Sequence, residues 1–201
     1  MSDDRSPAIA LWEFASIVDG IAAADAIAKG TPVAHLMTGT THPGKYVVLV
    51  AGDTASVAIA TEIVIETGRP VAAHCFLPDV DAAVADAITR DAELPAVAGE
   101  AIGVLEASSI SVCVDAADAA VKAADVTLSA IRLGDGLGGK AYFVVDGAVG
   151  EVDAAIDAAE DRATGSAIAS VVIPQLTPDL SEDLKASARF VDRMRQHGDN
   201  R

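Results

Sequence analysis

Aromatic side chains are scarce in this chain of 201 residues, where they make up 3% of the sequence although 51% of the residues are hydrophobic. The core must therefore be built from aliphatic side chains. So large a hydrophobic fraction excludes a disordered acidic tail. By its length the chain forms one domain or two small ones.

Basic residues are also few, since 14 Lys and Arg stand against 30 Asp and Glu, which gives a net charge of −16. Such a charge repels phosphate backbones and anionic lipids, so we expect neither nucleic acid nor a membrane as a partner. No apolar run approaches the roughly 20 residues needed to span a bilayer. The first residues lack the basic-then-apolar order of a signal peptide.

The two cysteines, Cys75 and Cys113, are too few for a disulfide framework and lack zinc-ligand spacing. We therefore expect a reducing, cytoplasmic location. His74 and Cys75 are neighbours on a predicted strand, where successive side chains point to opposite faces. This excludes a nucleophile pair, and we expect both thiols to lie in the core.

The chain repeats itself. Ala8–Glu13 recurs 93 residues later as Ala101–Glu106, and the pattern A-A-D-A-x-x-K of Ala23–Lys29 recurs at the same offset as Ala116–Lys122. The segment from Gly44 onward recurs 95 residues later, so the second copy has two extra residues in the preceding loop. The sequence predicts two tandem domains, residues 1–95 and 96–201, joined by a linker at about 91–100.

Each copy has the periodicity of strand-helix-strand-strand-helix-strand. The predicted strands are 8–12, 33–38, 45–51 and 71–77 in the first copy and 101–105, 126–133, 140–146 and 167–173 in the second; the predicted helices are 18–29, 54–67, 111–123 and 149–163. This order predicts an α+β fold: two ferredoxin-like (split βαβ) domains with antiparallel sheets and helices on one face.

An amphipathic C-terminal helix is predicted at about 179–197, and we expect it to cover a surface of the second domain. The other helices are rich in alanine, which contributes little buried area per residue. Because so thin a core is marginal in a domain of about 90 residues, burial between the copies and between chains is expected. The sequence therefore predicts an oligomer.

These repeated features resemble the tandem-domain shell proteins of bacterial microcompartments. The resemblance rests on the segments ending in Glu13 and Glu106, the two A-A-D-A-x-x-K helices and the two Gly-Lys hairpins. It implies a structural protein without enzymatic activity. It also implies a homotrimer whose six domains imitate a hexagon, which packs against other shell proteins and has a central pore for small metabolites.

The resemblance also assigns site residues. The family's tile-edge lysine corresponds to Lys29 and Lys122. The loops nearest the threefold axis correspond to 38–44 and 134–139, and the residues expected to line the pore are Thr40, Thr41, His42, Pro43, Gly44, Gly136, Leu137 and Gly138.

Within the family, the likeness is greatest to the propanediol-utilisation type, whose central loop reads Cys-Pro-Gly-Lys and holds an iron–sulfur cluster on the axis. Here the loop has His42 in place of that cysteine. Because thiolates are the usual cluster ligands, we expect no cluster and no other cofactor. Three copies of His42 on an axis are a candidate site for a divalent metal; the alternative is a polar turn residue.

A second departure from the family concerns the arginine that follows the last strand's proline in many shell hexamers. This chain has Asp79 and Gln175 there, so we expect tiling to use other contacts or to be weaker.

Two recurring motifs invite a catalytic interpretation. Glu13 and Glu106 have no histidine or nucleophile recurring beside them, so we expect a structural or interface role and not acid–base catalysis. The glycine-rich stretch 134–140 lacks a Ser or Thr after its lysine and precedes a strand, so it fails as a phosphate loop. Alternatives to a shell tile are a trimeric small-molecule-binding regulatory module and an axial metal or redox carrier.

Overall fold

The computed structural model describes residues 8–89, 97–134, 136–177 and 180. The first copy consists of β1 (Ala8–Phe14), α1 (Ile17–Gly30), β2 (His35–Thr41), β3 (Lys45–Gly52), α2 (Thr54–Glu66), β4 (Ala73–Leu77) and α3 (Ala82–Thr89). The second consists of β5 (Ala101–Ala107), α4 (Ile110–Ala123), β6 (Thr127–Leu133), β7 (Ala141–Gly147), α5 (Val149–Arg162) and β8 (Ala167–Pro174).

Each copy forms a four-stranded antiparallel sheet, in the order β2-β3-β1-β4 and β6-β7-β5-β8. The registers are equivalent: Leu11 lies between Leu49 and Cys75, and its counterpart Val104 lies between Val144 and Val171. The predicted α+β, split βαβ fold is confirmed. The predicted boundary between residues 95 and 96 stays a prediction, because residues 90–96 lie outside the described residues.

The first helix of each copy begins at a serine cap that the sequence repeats. The hydroxyl of Ser16 accepts from the backbone N–H of Asp19, and that of Ser109 from Val112, at 3.2 and 3.4 Å. Each cap satisfies one backbone donor of the first turn. At α2 the cap is Asp53, whose bonds from Ser56 hold the pKa of its carboxyl below the ordinary value.

Helix α3 was not predicted from the sequence. Asp81 begins it, since its carboxylate accepts from the N–H of Ala83 at 2.8 Å. The helix has only eight residues, so its periodicity is too short to stand out beside the linker. The predicted C-terminal helix, 179–197, lies outside the described residues except for Leu180.

One face of the first sheet packs against its own helices. Trp12 and Phe14 lie there with Val48 and Val50, under alanines of α1 and α2. The opposite face of this sheet is also buried, because α4 of the second domain covers it. Its residues Ile9, Leu11, Leu49, Cys75 and Leu77 join α4 residues in one continuous core. The two domains therefore share a hydrophobic core.

Both cysteines lie in this shared core, 5% and 0% exposed, as expected from the sequence. Burial raises the pKa of the Cys75 and Cys113 thiols, which keeps them protonated. Among the described residues, no helix combines the length and the apolar character needed to cross a membrane.

Candidate functional site

Glu13 joins the two domains. Its carboxylate is fully buried, and one oxygen accepts from both the backbone N–H and the hydroxyl of Ser111, at 2.9 and 3.0 Å. The other oxygen accepts from the ammonium of Lys45 at 3.0 Å. Ser111 lies in the first turn of α4, where an anion stabilises the unpaired N–H groups. The interface role expected for Glu13 is confirmed.

Glu106 is the counterpart of Glu13 in the second copy, and its surroundings are open. It pairs with Lys140 at 2.6 Å, as Glu13 pairs with Lys45, but its side chain is 36% exposed. Within the described part of one chain, no helix end covers Glu106 in the way that α4 covers Glu13. Both carboxylates thus pair with a lysine of the same sheet, but only Glu13 also binds the first turn of α4.

At the edge of the domain interface, Lys122 links three segments. Its ammonium donates to Asp118 at 2.8 Å and to the backbone carbonyl of Asp79 in the first domain. The second carboxylate oxygen of Asp118 accepts from the N–H of Asp81 at 2.7 Å. Lys122 therefore has a contact within the chain that the sequence did not reveal; its side chain is still 41% exposed, and the predicted tile-edge role stays a prediction.

A cavity of about 310 Å³ with both charged and apolar lining residues lies at this edge. The ion pair between Arg162 and Asp115, at 2.8 Å, forms part of its lining and raises the pKa of the guanidinium. Phe76 and Leu77 supply the lining from the first domain. Lys29 differs from Lys122. Within the described part of the chain it pairs only with Asp25 of its own helix, and its side chain is 74% exposed.

The two loops predicted to surround the pore pack against each other. The first is a tight turn in which the N–H of Gly44 donates to the carbonyl of Thr41 at 2.9 Å. The second is closed by a bond from the N–H of Gly134 to the carbonyl of Lys140, at 3.1 Å. Both hairpins lead from the second strand of a copy into its third, as the sequence predicted.

Two glycines make this close packing possible. Gly134 has a φ of 72°, and a β-carbon there would lie 2.4 Å from the hydroxyl oxygen of Thr41. Gly139 has a φ of 86°, and its β-carbon would lie 2.9 Å from the ring of Pro43. Only glycine has both the conformational freedom and the small size that these positions require. The pair of loops therefore behaves as one unit within a chain.

Most of the predicted pore-lining residues are accessible. Thr40, His42, Pro43, Gly44, Gly136 and Gly138 are exposed and Leu137 is partly exposed. Thr41 departs from the expectation, because it is 8% exposed and turned against Gly134 in the second domain. Its side chain is thus unavailable to line an opening. Its hydroxyl has no hydrogen-bond partner within the described residues, and the residue borders a mainly apolar cavity of about 250 Å³ between the domains.

The donor set at the loops does not fit an iron–sulfur cluster. The only two thiols of the chain are buried in the core between the first sheet and α4, and neither belongs to the loops. Across the residues that the structure describes, no three side chains from His, Cys, Asp and Glu lie close enough together to hold a metal ion. A metal at His42 would therefore need the same residue from several chains.

Comparison with known proteins identifies the family. The model of the BMC domain matches this chain twice, over residues 8–80 and 101–176. The chain belongs to the shell proteins of bacterial microcompartments. A shell protein of this family is structural and is not an enzyme, and its location is the microcompartment shell.

Individual relatives share the tandem arrangement. The microcompartment shell protein PduT of Citrobacter freundii is 37% identical over 160 residues, which cover 75% of this chain and 82% of that protein. A microcompartment protein from Desulfitobacterium hafniense DCB, known from a crystal structure, is 35% identical with a TM-score of 0.75, covering 87% of this chain and 98% of its own.

A third relative shares the fold. The fused permuted hexameric shell protein MSM0275 of the RMM microcompartment is 22% identical with a TM-score of 0.55, covering 76% of this shell protein and 79% of its own chain. Proteins of this family assemble with other shell proteins into multimers. Membership favours the shell role over the regulatory module and redox carrier considered from the sequence.

Proposed function

We propose that this shell protein forms a homotrimer whose six domains close into a pseudohexameric tile with a central pore for small metabolites. The observation that carries the proposal is that several residues buried between the two domains of one chain have exposed counterparts, on α1 and on β8.

The first such counterpart is the start of α1. In the second copy, Ile110, Ser111 and Val114 of α4 are at most 4% exposed, because they pack on the first sheet. The equivalent residues of α1, displaced by 93 positions, are Ile17, Val18 and Ile21, which are 40, 73 and 51% exposed. Three adjacent apolar side chains on a helix surface mark an interface.

The second counterpart is the outer face of the second sheet. In the first sheet, Cys75 and Leu77 are 5% exposed beneath α4. Val171 occupies the position of Cys75, by the register of the strands, and is 48% exposed. Glu106 lies on the same face of the second sheet, at the position that Glu13 has in the first. We expect its carboxylate to accept from the backbone N–H of Val18 of the adjacent chain, as Glu13 accepts from Ser111.

The α1 face of one chain thus complements the second sheet of another. Such an interface is heterologous and closes into a ring when the rotation per chain divides a full turn. With two equivalent domains per chain, three chains give six domains around an axis. The paired loops would then surround the axis, where Thr40, His42 and the glycines of 136–138 leave an opening lined by hydroxyls, imidazoles and backbone groups.

We further propose that the tile has no resident cofactor, because His42 replaces a thiolate and both thiols of the chain are buried in the core that the two domains share. Within the described part of the chain, a ring of three His42 side chains is the candidate site for a bound divalent metal. Metal analysis of protein purified without oxygen, beside a His42→Ala variant, tests this. A metal present in the wild type and lost in the variant would overturn the cofactor-free proposal.

Sedimentation equilibrium tests the trimer. We expect a mass three times that of the 20.3 kDa chain, and we expect Ile21→Glu to dissociate it because a buried unpaired carboxylate is costly. The matched control is Ile65→Glu, which changes an isoleucine of α2 that is 72% exposed and has no role in the proposed interface. A wild-type monomer at high concentration, or a trimer in the Ile21 variant, would overturn the proposal.

A further inference from the structure

We propose that the C-terminal segment of each chain, from Leu176 onward, docks on α1 of the adjacent chain and so straps the tile together. This inference rests on the proposed homotrimer and assigns the surface that receives the segment. The surface carries Ile17, Asp25 and Lys29.

Helix α3 shows how such a segment binds within one chain. After β4 the chain leaves the first domain and packs against α4 and β6 of the second. Val80 and Val84 are 8 and 0% exposed in the shared core, and Ile88 packs against the same core. A short helix that follows the first domain therefore packs on the second domain and stabilises the contact between them.

The same apolar pattern follows β8. A constant offset of 96 residues carries Pro78, Val80, Val84 and Ile88 onto Pro174, Leu176, Leu180 and Leu184. Asp81, which caps α3, corresponds to Thr177, and both are residue types that begin helices. Three leucines four residues apart form one apolar stripe on a helix. The second copy thus carries the sequence pattern of α3.

The surface that receives α3 also has a counterpart, on α1. Asp118 is 5% exposed and accepts from the N–H of Asp81. Its equivalent, Asp25, has a side chain that is 59% exposed. We expect this carboxylate to accept from the N–H of Thr177 of the adjacent chain.

Lysine and isoleucine positions on α1 agree with this assignment. Lys122 donates to the carbonyl of Asp79, whose equivalent is Gln175. We therefore expect Lys29, exposed in one chain, to donate to the carbonyl of Gln175 in the next. Ile17 is 40% exposed whereas its equivalent Ile110 is 4% exposed.

The exposure of Leu180 indicates that the C-terminal segment lacks a partner surface within the described part of its own chain. Its counterpart Val84 is completely buried, yet Leu180 is 41% exposed in the single chain. A leucine repeated at a core position but left in solvent indicates a surface that another molecule supplies. Here the repeat identifies that molecule as a second copy of the chain.

A photo-crosslinking amino acid at position 180 tests the docking in the full-length protein. Trimers are assembled from mixed ¹⁴N- and ¹⁵N-labelled chains, so that mass spectrometry separates links between chains from links within one. We expect links from position 180 to Ile17–Gly30 or His35–Thr41 of a differently labelled chain. The matched probe at Ile88 should link to α4 or β6 of its own chain.

The outcomes separate the two proposals. Trimers that link position 180 to their own second domain would overturn the docking and leave the trimer standing. A monomer in sedimentation would overturn both. As a second measurement, removing residues 178–201 should raise the dissociation constant of the trimer at least about tenfold, because apolar burial is lost. Leu180→Asp should do the same and Leu180→Met should not; an unchanged constant in the truncated chain would also overturn the docking.

Discussion

The buried carboxylate of Glu13 offers the sharpest test of the domain interface. In Glu13→Ala, the N–H and hydroxyl of Ser111 lose their acceptor and the ammonium of Lys45 loses its partner, at a side chain that is 24% exposed. Removing one member of a buried ion pair costs about 3–5 kcal/mol. We expect a loss of that size in the free energy of unfolding. Glu13→Gln retains an acceptor for Ser111 but not the charge, so its loss should be about 1–3 kcal/mol.

Glu106→Ala is the matched control, because it removes the equivalent carboxylate from an exposed setting. The pair with Lys140 is half exposed and is worth at most about 1 kcal/mol in a single chain. In the proposed trimer, Glu106→Ala should weaken the association of the chains. The loss of apparent stability relative to the wild type should therefore depend on protein concentration. The two variants therefore separate the contact within the chain from the contact between chains.

Urea unfolding followed by fluorescence measures both variants. Trp12 is the only tryptophan of the sequence, is 2% exposed and lies in the core between the first sheet and its own helices, so its emission reports the unfolding of the first domain. The reasoning would be refuted by a Glu13→Ala loss below about 1 kcal/mol, or by equal losses in Glu13→Ala and Glu106→Ala in dilute protein.

Three further predictions concern the loops and the core. Gly134→Ala should destabilise the fold by about 1–3 kcal/mol more than Gly138→Ala, since both have positive φ but only Gly134 meets Thr41; equal urea midpoints would contradict this. Thr41→Val should raise the free energy of unfolding by about 1 kcal/mol, because it removes a buried hydroxyl without a partner among the described residues; a lowered midpoint would count against it. Because burial raises the pKa of both thiols, the folded chain keeps protons that the unfolded chain releases near pH ~8.5. Stability should therefore be constant below that pH and fall above it, by up to ~1.4 kcal/mol per thiol per pH unit. Urea titrations across that range should show a shallower slope for a Cys75→Ala, Cys113→Ala double variant, and identical slopes would refute the assignment.

Local features of the sequence accounted for most of the fold. The repeat at 93 residues, the serine caps and the alternating strands are properties of short segments, so they predicted twelve of the thirteen elements that the described residues form. Helix α3 was missed because its eight residues bury their apolar side chains on the other domain. The periodicity of so short a segment does not reveal its partner.

At the candidate site, the sequence identified residues but not their environments. Recurrence singled out Glu13 and Glu106 equally, and likewise Lys29 and Lys122. The fold separated each pair, because α4 of the second domain covers the outer face of the first sheet, whereas among the described residues neither α1 nor α2 of the first domain covers the outer face of the second sheet. Burial depends on what packs against a residue, and a linear sequence does not contain that information.

What the sequence determined by itself is the duplicated α+β domain, its family and the histidine in place of a cysteine at residue 42, because these depend on residue order alone. The tertiary structure alone decided that Thr41 faces Gly134, that Glu13 caps α4 and that equivalent surfaces on α1 and β8 stay open. These are consequences of one domain lying against another. The duplicated chain satisfies the interface between its domains once internally, and in the proposed trimer an adjacent chain would satisfy it again.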